Sequence, residues 1–207
     1  MVGIRNGLYN QTIPFPRKTH GKGLLPYKTV RDTIKHLPYL RAGQQHEEIS
    51  NHECAALEKV NLERLTVTPK DGGSRDSWPE RLRLKCHMVH SGHNDVYGRM
   101  KWDAPSPTLT CKCTSISNGR FGHPAQLRAI SLKEAALLQT FPENYEFYGR
   151  FQVMAKQIGN AVPVELAKIF GEHLVKLVNN RLPAFSNINE YKFNGEVKNS
   201  KVVVLSK

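Results

Sequence analysis

Negative charge is scarce in this chain. Eighteen Asp and Glu stand against thirty Lys and Arg, leaving a formal charge of +12 over 207 residues. With an isoelectric point near 9.7, that surplus favours a polyanionic partner, nucleic acid above all; a basic surface that binds nothing is the other reading. Long apolar runs are missing too. No stretch approaches the roughly 18 residues of a spanning helix, and Met1–Asn10 lacks a signal-peptide pattern. A soluble, cytoplasmic protein with no membrane partner is therefore expected. Cysteine is limited to Cys54, Cys86, Cys111 and Cys113. With no secretory segment ahead of them, free thiols are expected and disulfides are not. Hydrophobic residues make up 39% at a mean hydropathy of −0.49, enough for a core but on the polar side for a globular protein.

What is present falls into short elements. Met1–Arg5 reads as the end of a strand, followed by irregular sequence punctuated by Pro14, Pro16 and Pro26. Thr29 followed three residues later by Asp32 has the spacing of a capping box, and Pro38 stops that helix early. Asn51–Val67 carries an approximate apolar stripe through Ala55, Ala56, Val60, Leu62 and Leu65, which predicts a helix. From Trp78 to Pro124 the helical period fades into loops and short strands such as Thr108–Cys113. Ser131 with Glu134 forms a second capping box ahead of Ala135, Ala136, Leu137 and Leu138, closed by Phe141-Pro142. Pro163 suits the first position of another helix, whose apolar face is Leu166, Ala167, Phe170, Leu174, Leu177 and Val178. Beyond Asn180 the chain turns polar, although Val202–Leu205 could add a short strand. No internal repeat is present.

Two clusters carry candidate chemistry. On a strand, Cys111 and Cys113 would share a face, and with Cys86, His87, His90 and His93 they could hold zinc tetrahedrally. The spacing is not that of a standard zinc finger, and nothing else in the chain requires a metal. The stretch Arg81–Arg128 holds eight basic residues against Asp95 and Asp103. Lys and Arg there would meet phosphates, as Arg99, Lys112 and Arg120 are placed to do. Base edges need small polar groups on loops, which Thr114, Ser115, Ser117 and Asn118 provide. An ordinary polar surface loop is the alternative.

Asp-Val-Tyr-Gly-Arg-Met (95–100), Trp102–Thr110, Asn118-Gly-Arg-Phe-Gly-His-Pro124 and Arg128-Ala-Ile-Ser-Leu-Lys-Glu-Ala-Ala-Leu-Leu-Gln-Thr-Phe-Pro142 resemble, in order, the variable region and ninth motif of bacterial DNA (cytosine-5)-methyltransferases. Gln157-Ile-Gly-Asn-Ala-Val-Pro163 resembles their tenth motif, and Val2-Gly-Ile-Arg5 the strand after their eighth. The resemblance implies a Rossmann-like α/β methyltransferase fold, here represented only by its C-terminal part: a small mixed α+β or irregular recognition domain followed by helices. The implied organisation is a catalytic-domain segment over 1–29, target recognition over 30–127, ninth- and tenth-motif helices over 128–180 and a polar tail over 181–207. Arg128, Glu134, Gln139, Gln157 and Gly159 would orient the recognition domain; a plain helix entry, with Gly159 needed only for the turn, is the other reading of Gln157–Pro163. Asn160, Ala161 and Val162 would border S-adenosyl-L-methionine.

The family's remaining motifs are not matched. No Cys follows a Pro, and no Glu-Asn-Val occurs; Glu143-Asn144-Tyr145 is the nearest string. Cytosine C5 becomes nucleophilic only after a thiolate adds at C6 with an acid near N3, so no catalytic residue is assigned and the chain alone is expected to be inactive. The resemblance implies double-stranded DNA as substrate and an N-terminal methyltransferase polypeptide as partner. That partner would share the cofactor, in a restriction–modification system of a prokaryotic, nucleoid-associated setting. An inactive truncated gene product and a stand-alone DNA-binding protein are the alternatives.

Overall fold

Caps decide where the helices begin. The computed structural model describes residues 4, 13–89 and 95–179; the strands expected at Met1–Arg5 and Val202–Leu205 lie outside these residues, apart from Ile4. α1 (Val30–Ile34) opens on Thr29, whose hydroxyl accepts from the Asp32 amide while the Asp32 carboxylate accepts from the Thr29 amide. α4 (Leu132–Leu138) opens the same way on Ser131 and Glu134. Both capping boxes were legible in sequence, because each needs only residues three apart.

α2 is shorter than the apolar stripe suggests, running only over Lys59–Val67. Residues 51–58 are irregular because their backbone serves α4 instead. The carbonyls of Glu53 and Asn51 accept from the amides of Leu132 and Lys133, two of the donors that a helix start leaves unpaired. Asn51 sits at φ 58 and clamps Phe147 twice, donating to its carbonyl and accepting from its amide. That demand outweighs local helix propensity.

Among the described residues no β-ladder exceeds an isolated bridge, so the mixed α+β reading is corrected to helices and irregular chain. Residues 98–100, 121–123 and 128–130 are joined by only two bonds per pair: Met100 N–H to Gly122 O with Gly122 N–H to Gly98 O, and Ile130 N–H to Phe121 O with His123 N–H to Arg128 O. The strand expected at Thr108–Cys113 is a turn, with the Cys113 amide donating to Thr110 O. Short 3-10 turns at Arg75–Ser77, Glu80–Leu82 and Ile116–Asn118 and the brief α3 (Lys85–Val89) complete that region.

Contacts divide the chain into two units, His20–Glu165 and the pair of segments 1–19 and 166–207. In the larger unit α4 packs on α1 and on α5 (Phe151–Asn160), a helix absent from the sequence reading. Their core includes Val30, Ile34, Met100, Phe121, Ala135 and Ile158. Residues on both sides of position 127 thus share one interior. A second cluster gathers Trp78, Leu82, Tyr97, Ile116 and Ala129, with the Arg64 guanidinium 5.3 Å from the Trp78 ring centre. α6 (Val164–Val178) starts one residue after Pro163. Within the smaller unit Phe15 meets Phe170 edge-on at 6.1 Å, and His173 contacts Pro14 O at 2.8 Å. Of the expected apolar face only Leu177 is buried, while Leu166 is 45% exposed.

Candidate functional site

Arg128 and Glu134, with their neighbours, build a dry ionic knot. Arg128 and Glu134 are almost fully buried and pair through two parallel bonds of 2.7 Å, the strong fork geometry of guanidinium and carboxylate. The second Glu134 oxygen bond comes from the Ser131 amide, and Arg128 also donates to Gln126 Oε1 and Ala129 O. Burial alone would raise the Glu134 carboxyl, but the Arg128 hydrogen bonds and charge bring it below its ordinary value. His123 faces Glu134 at 3.6 Å. Its Nδ1 accepts from the amides of Ala125 and Gln126, so the proton sits on Nε2, toward the carboxylate. Burial pushes the His123 pKa down to about 4. His52 extends the chain from Ser131 Oγ at 3.0 Å to Pro38 O at 2.9 Å. The guanidinium of Arg128 and the carboxylate of Glu134 are both hydrogen-bonded, as a buried network requires. Buried as it is, the knot presents nothing to a ligand.

The segment 157–163 hangs from the end of α4. Gln139 donates through its side-chain amide to the carbonyls of Ile158 and Ala161, each at 3.0 Å. Both lie where α5 ends; Ile158 O also accepts from the Ala161 amide, and Ala161 O is bound by the Gln139 side chain. The Gln139 carbonyl and the Thr140 hydroxyl then accept from the amides of Val164 and Glu165, the first of α6. Gln139 and Thr140 therefore hold Gln157–Pro163 at both ends. Thr140 does so at φ 62, a conformation few β-branched residues adopt, and no sequence pattern pointed to it. Between the two clamps Asn160 and Val162 are exposed and Ala161 half-buried; Gln157 is exposed and makes no part of the clamp.

Gly159 lies within α5, so its expected role in a turn is corrected. A Cβ there would stand 1.9 Å from the carbonyl oxygen of Thr110 and 2.5 Å from the Cys111 nitrogen. Only glycine lets the helix touch the loop backbone this closely. The neighbouring Cys113 thiol is fully buried toward Ala155 O. The loop proposed to read bases is thus seated directly on the helix that leads into Asn160–Val162.

The structure sorts the DNA-contact candidates by exposure. Arg99 is 1% exposed and donates to four carbonyls, those of Leu65, Thr68, His123 and Gln126. It caps the C-terminal end of α2, where carbonyls are unpaired and positive charge is favoured, and burial brings its pKa down to about 10. Its reading as a phosphate ligand is corrected. Thr114 is buried as well. Arg120 is mostly buried and binds Gly72 O at 2.9 Å and Asp95 at 3.1 Å, so it too ties loops together. Lys112, Ser117 and Asn118 are exposed and Ser115 half-exposed, with Ser115, Ser117 and the Asn118 amide bonded to one another.

Cysteine chemistry is quiet in the described residues. Burial raises the Cys54 thiol and pushes Cys113 up to about 11, which suits neither for nucleophilic attack. Cys111 is exposed while Cys113 is buried, so the two do not share a face. Among the described residues no group of three His, Cys, Asp or Glu could hold a metal; His90 and His93 fall outside them. A cavity of about 320 Å³ opens beside His36, Pro38, Glu48, Lys133, Glu143 and Glu146, and the sequence-derived site residues do not line it.

The chain matches the C-5 cytosine-specific DNA methylase family over residues 1–176. It is 45% identical over 158 residues to the Type II methylase M.HgiDII of Herpetosiphon aurantiacus, covering 73% of this chain and 44% of that protein. It is 35% identical over 168 residues to the Type II methyltransferase M1.HphI of Haemophilus parahaemolyticus, covering 81% and 41%. DNA (cytosine-5)-methyltransferase 3 of Arabidopsis thaliana is 33% identical over 172 residues, covering 70% and 12%. The chain spans less than half the length of the curated relatives it matches.

Proposed function

The chain belongs to the C-5 cytosine-specific DNA methylase family, and from that premise we propose that it supplies the DNA-reading and cofactor-bordering portion of a DNA (cytosine-5)-methyltransferase. The observation that carries this reading is the contact of Gly159 with the Thr110–Cys111 backbone. One rigid support holds Lys112, Ser115, Ser117 and Asn118 at one end of a loop and Asn160, Ala161 and Val162 at the end of α5. The exposed loop would meet duplex DNA, with Lys112 on a phosphate and Asn118 or Ser117 at base edges. Asn160–Val162 would border S-adenosyl-L-methionine, which supplies the methyl group. Gln139 and Thr140 would fix the height of that border, and Arg128–Glu134 the angle at which α4 carries it.

The reaction itself would move a methyl group to C5 of a cytosine turned out of the duplex. It requires a thiolate adding at C6 and an acid at N3, and no Pro-Cys or Glu-Asn-Val occurs in the 207 residues. We assign those groups to a second polypeptide or to further residues of a longer chain. The bacterial relatives are Type II methylases, which fits a prokaryotic restriction–modification setting. The test mixes this chain with a polypeptide carrying both motifs and measures labelled methyl transfer to duplex DNA. Transfer only in the mixture is expected. Two folded chains and no incorporated label would refute the reading.

A further inference from the structure

Residues 13–31 contain Arg17, Lys18, Lys22, Lys28 and Arg31 and not one Asp or Glu, yet this stretch lies far from the loop assigned above to base reading in sequence. Within the larger unit its tip is a tight turn. The Gly21 amide donates to Leu25 O and the Leu24 amide to Gly21 O, each at 3.0 Å. Gly21 and Gly23 take φ values of 131 and 75, which side chains disfavour. Tyr27 stacks on His20 with ring centres 6.4 Å apart and planes 16° from parallel, and its hydroxyl lies over Gly21.

This small, braced turn exposes what proteins usually hide. Leu24 is 50%, Leu25 62% and Tyr27 61% exposed, with Lys22 and Lys28 exposed on either side of them. Large apolar groups grouped on a surface mark a contact site. Interleaving with lysines alone selects a partner whose own surface alternates negative charge with apolar edges. A nucleic-acid groove has that character: phosphates along its rims, sugar and base edges between. The same residues against a protein would ask for matching acids, whereas Arg31 already holds Asp103 at 2.6 Å.

We propose that the His20–Lys28 turn is a second duplex-DNA contact, with Lys22 and Lys28 on phosphates and Leu24, Leu25 and Tyr27 against the groove between them. The contact is independent of sequence; it adds affinity and register to the reading loop. It rests on the proposal that this chain binds duplex DNA.

The experiment titrates the full chain against labelled duplex by fluorescence anisotropy between 50 and 200 mM salt, concentrations over which phosphate contacts are resolved at roughly 0.9 in the slope of log K against log salt for each contact. In K22Q/K28Q the slope should fall by about 2, with affinity reduced roughly tenfold or more near 0.1 M salt. L24S/L25S should weaken binding with the slope unchanged. Both variants alter exposed side chains, and circular dichroism should match the parent. An unchanged slope and affinity in K22Q/K28Q, with the parent binding normally, overturns this proposal alone. Variants that bind DNA normally but lose association with a complementing methyltransferase polypeptide overturn it and assign the turn to a protein contact. A parent chain that does not bind duplex DNA overturns the proposed function as well.

Discussion

Gly159→Ala sets two physical effects against each other. Inside an exposed helix the change should stabilise by about 1 kcal/mol, because alanine loses less backbone entropy on folding. At this position the new methyl would stand 1.9 Å from Thr110 O and 2.2 Å from its carbonyl carbon. Both neighbours are backbone, so no flexible side chain can swing aside. Relief requires α5 and the loop to part by well over an ångström, opening the contact that buries Cys113 against Ala155. Overpacking of this kind costs about 1–3 kcal/mol, and a backbone neighbour puts the cost at the upper end. The net is a destabilisation of roughly 2 kcal/mol, or a Tm lower by about 4–8 °C for a domain of this size. Thermal unfolding followed by circular dichroism measures it. The same parting should expose Cys113, so a thiol reagent should modify it faster in the variant than in the parent. A Tm that stays level or rises, with Cys113 still protected, would refute the packing argument and leave helix propensity in charge.

Four further perturbations follow from the same contacts. Glu134→Gln leaves the buried Arg128 charge without its carboxylate and should cost about 3–5 kcal/mol in urea unfolding; a loss under 1 kcal/mol would mean the knot is not closed to water. Gln139→Ala strips the Ala161 carbonyl of its side-chain donor and leaves Ile158 O with the Ala161 amide alone, costing about 1–3 kcal/mol, and hydrogen exchange at 161–165 should accelerate while that of α1 does not. Arg99→Lys cannot fork to four carbonyls and should lower stability, yet the salt slope of DNA binding should stay as in the parent, since Arg99 meets no solvent. The pH dependence runs through His123, whose folded pKa is lowered to about 4. A lowered histidine means the unfolded chain binds the proton more readily, so stability is full above the unfolded pKa of about 6.5 and falls as pH drops from there to about 4. The fall is on the order of 3 kcal/mol, checked by urea midpoints at pH 7, 5.5 and 4.5; His123→Asn, keeping an acceptor for the Ala125 and Gln126 amides, should flatten it.

Residues three or four apart decided what could be read locally. Thr29 with Asp32 and Ser131 with Glu134 announced two helix starts, because a cap and its partner lie within one turn. The ordered blocks from Asp95 to Pro163 announced the family. The spacing of Phe151, Met154, Ala155 and Ile158 was also there to be read as a helix, although Gly149 and Gly159 broke up the pattern around it.

Tertiary structure alone decided which of those residues face solvent. An arginine in a basic stretch reads the same whether it meets phosphate or, like Arg99, carbonyls 24 to 34 residues away. Residues 51–58 carry a helical stripe but give their carbonyls to α4, a demand no local window contains. Gly159 reads as a turn residue until the Thr110 backbone is found against it. In each case a side chain or a missing one is fixed by a partner distant in sequence, and burial then converts a residue type that suggests binding into one that holds the fold.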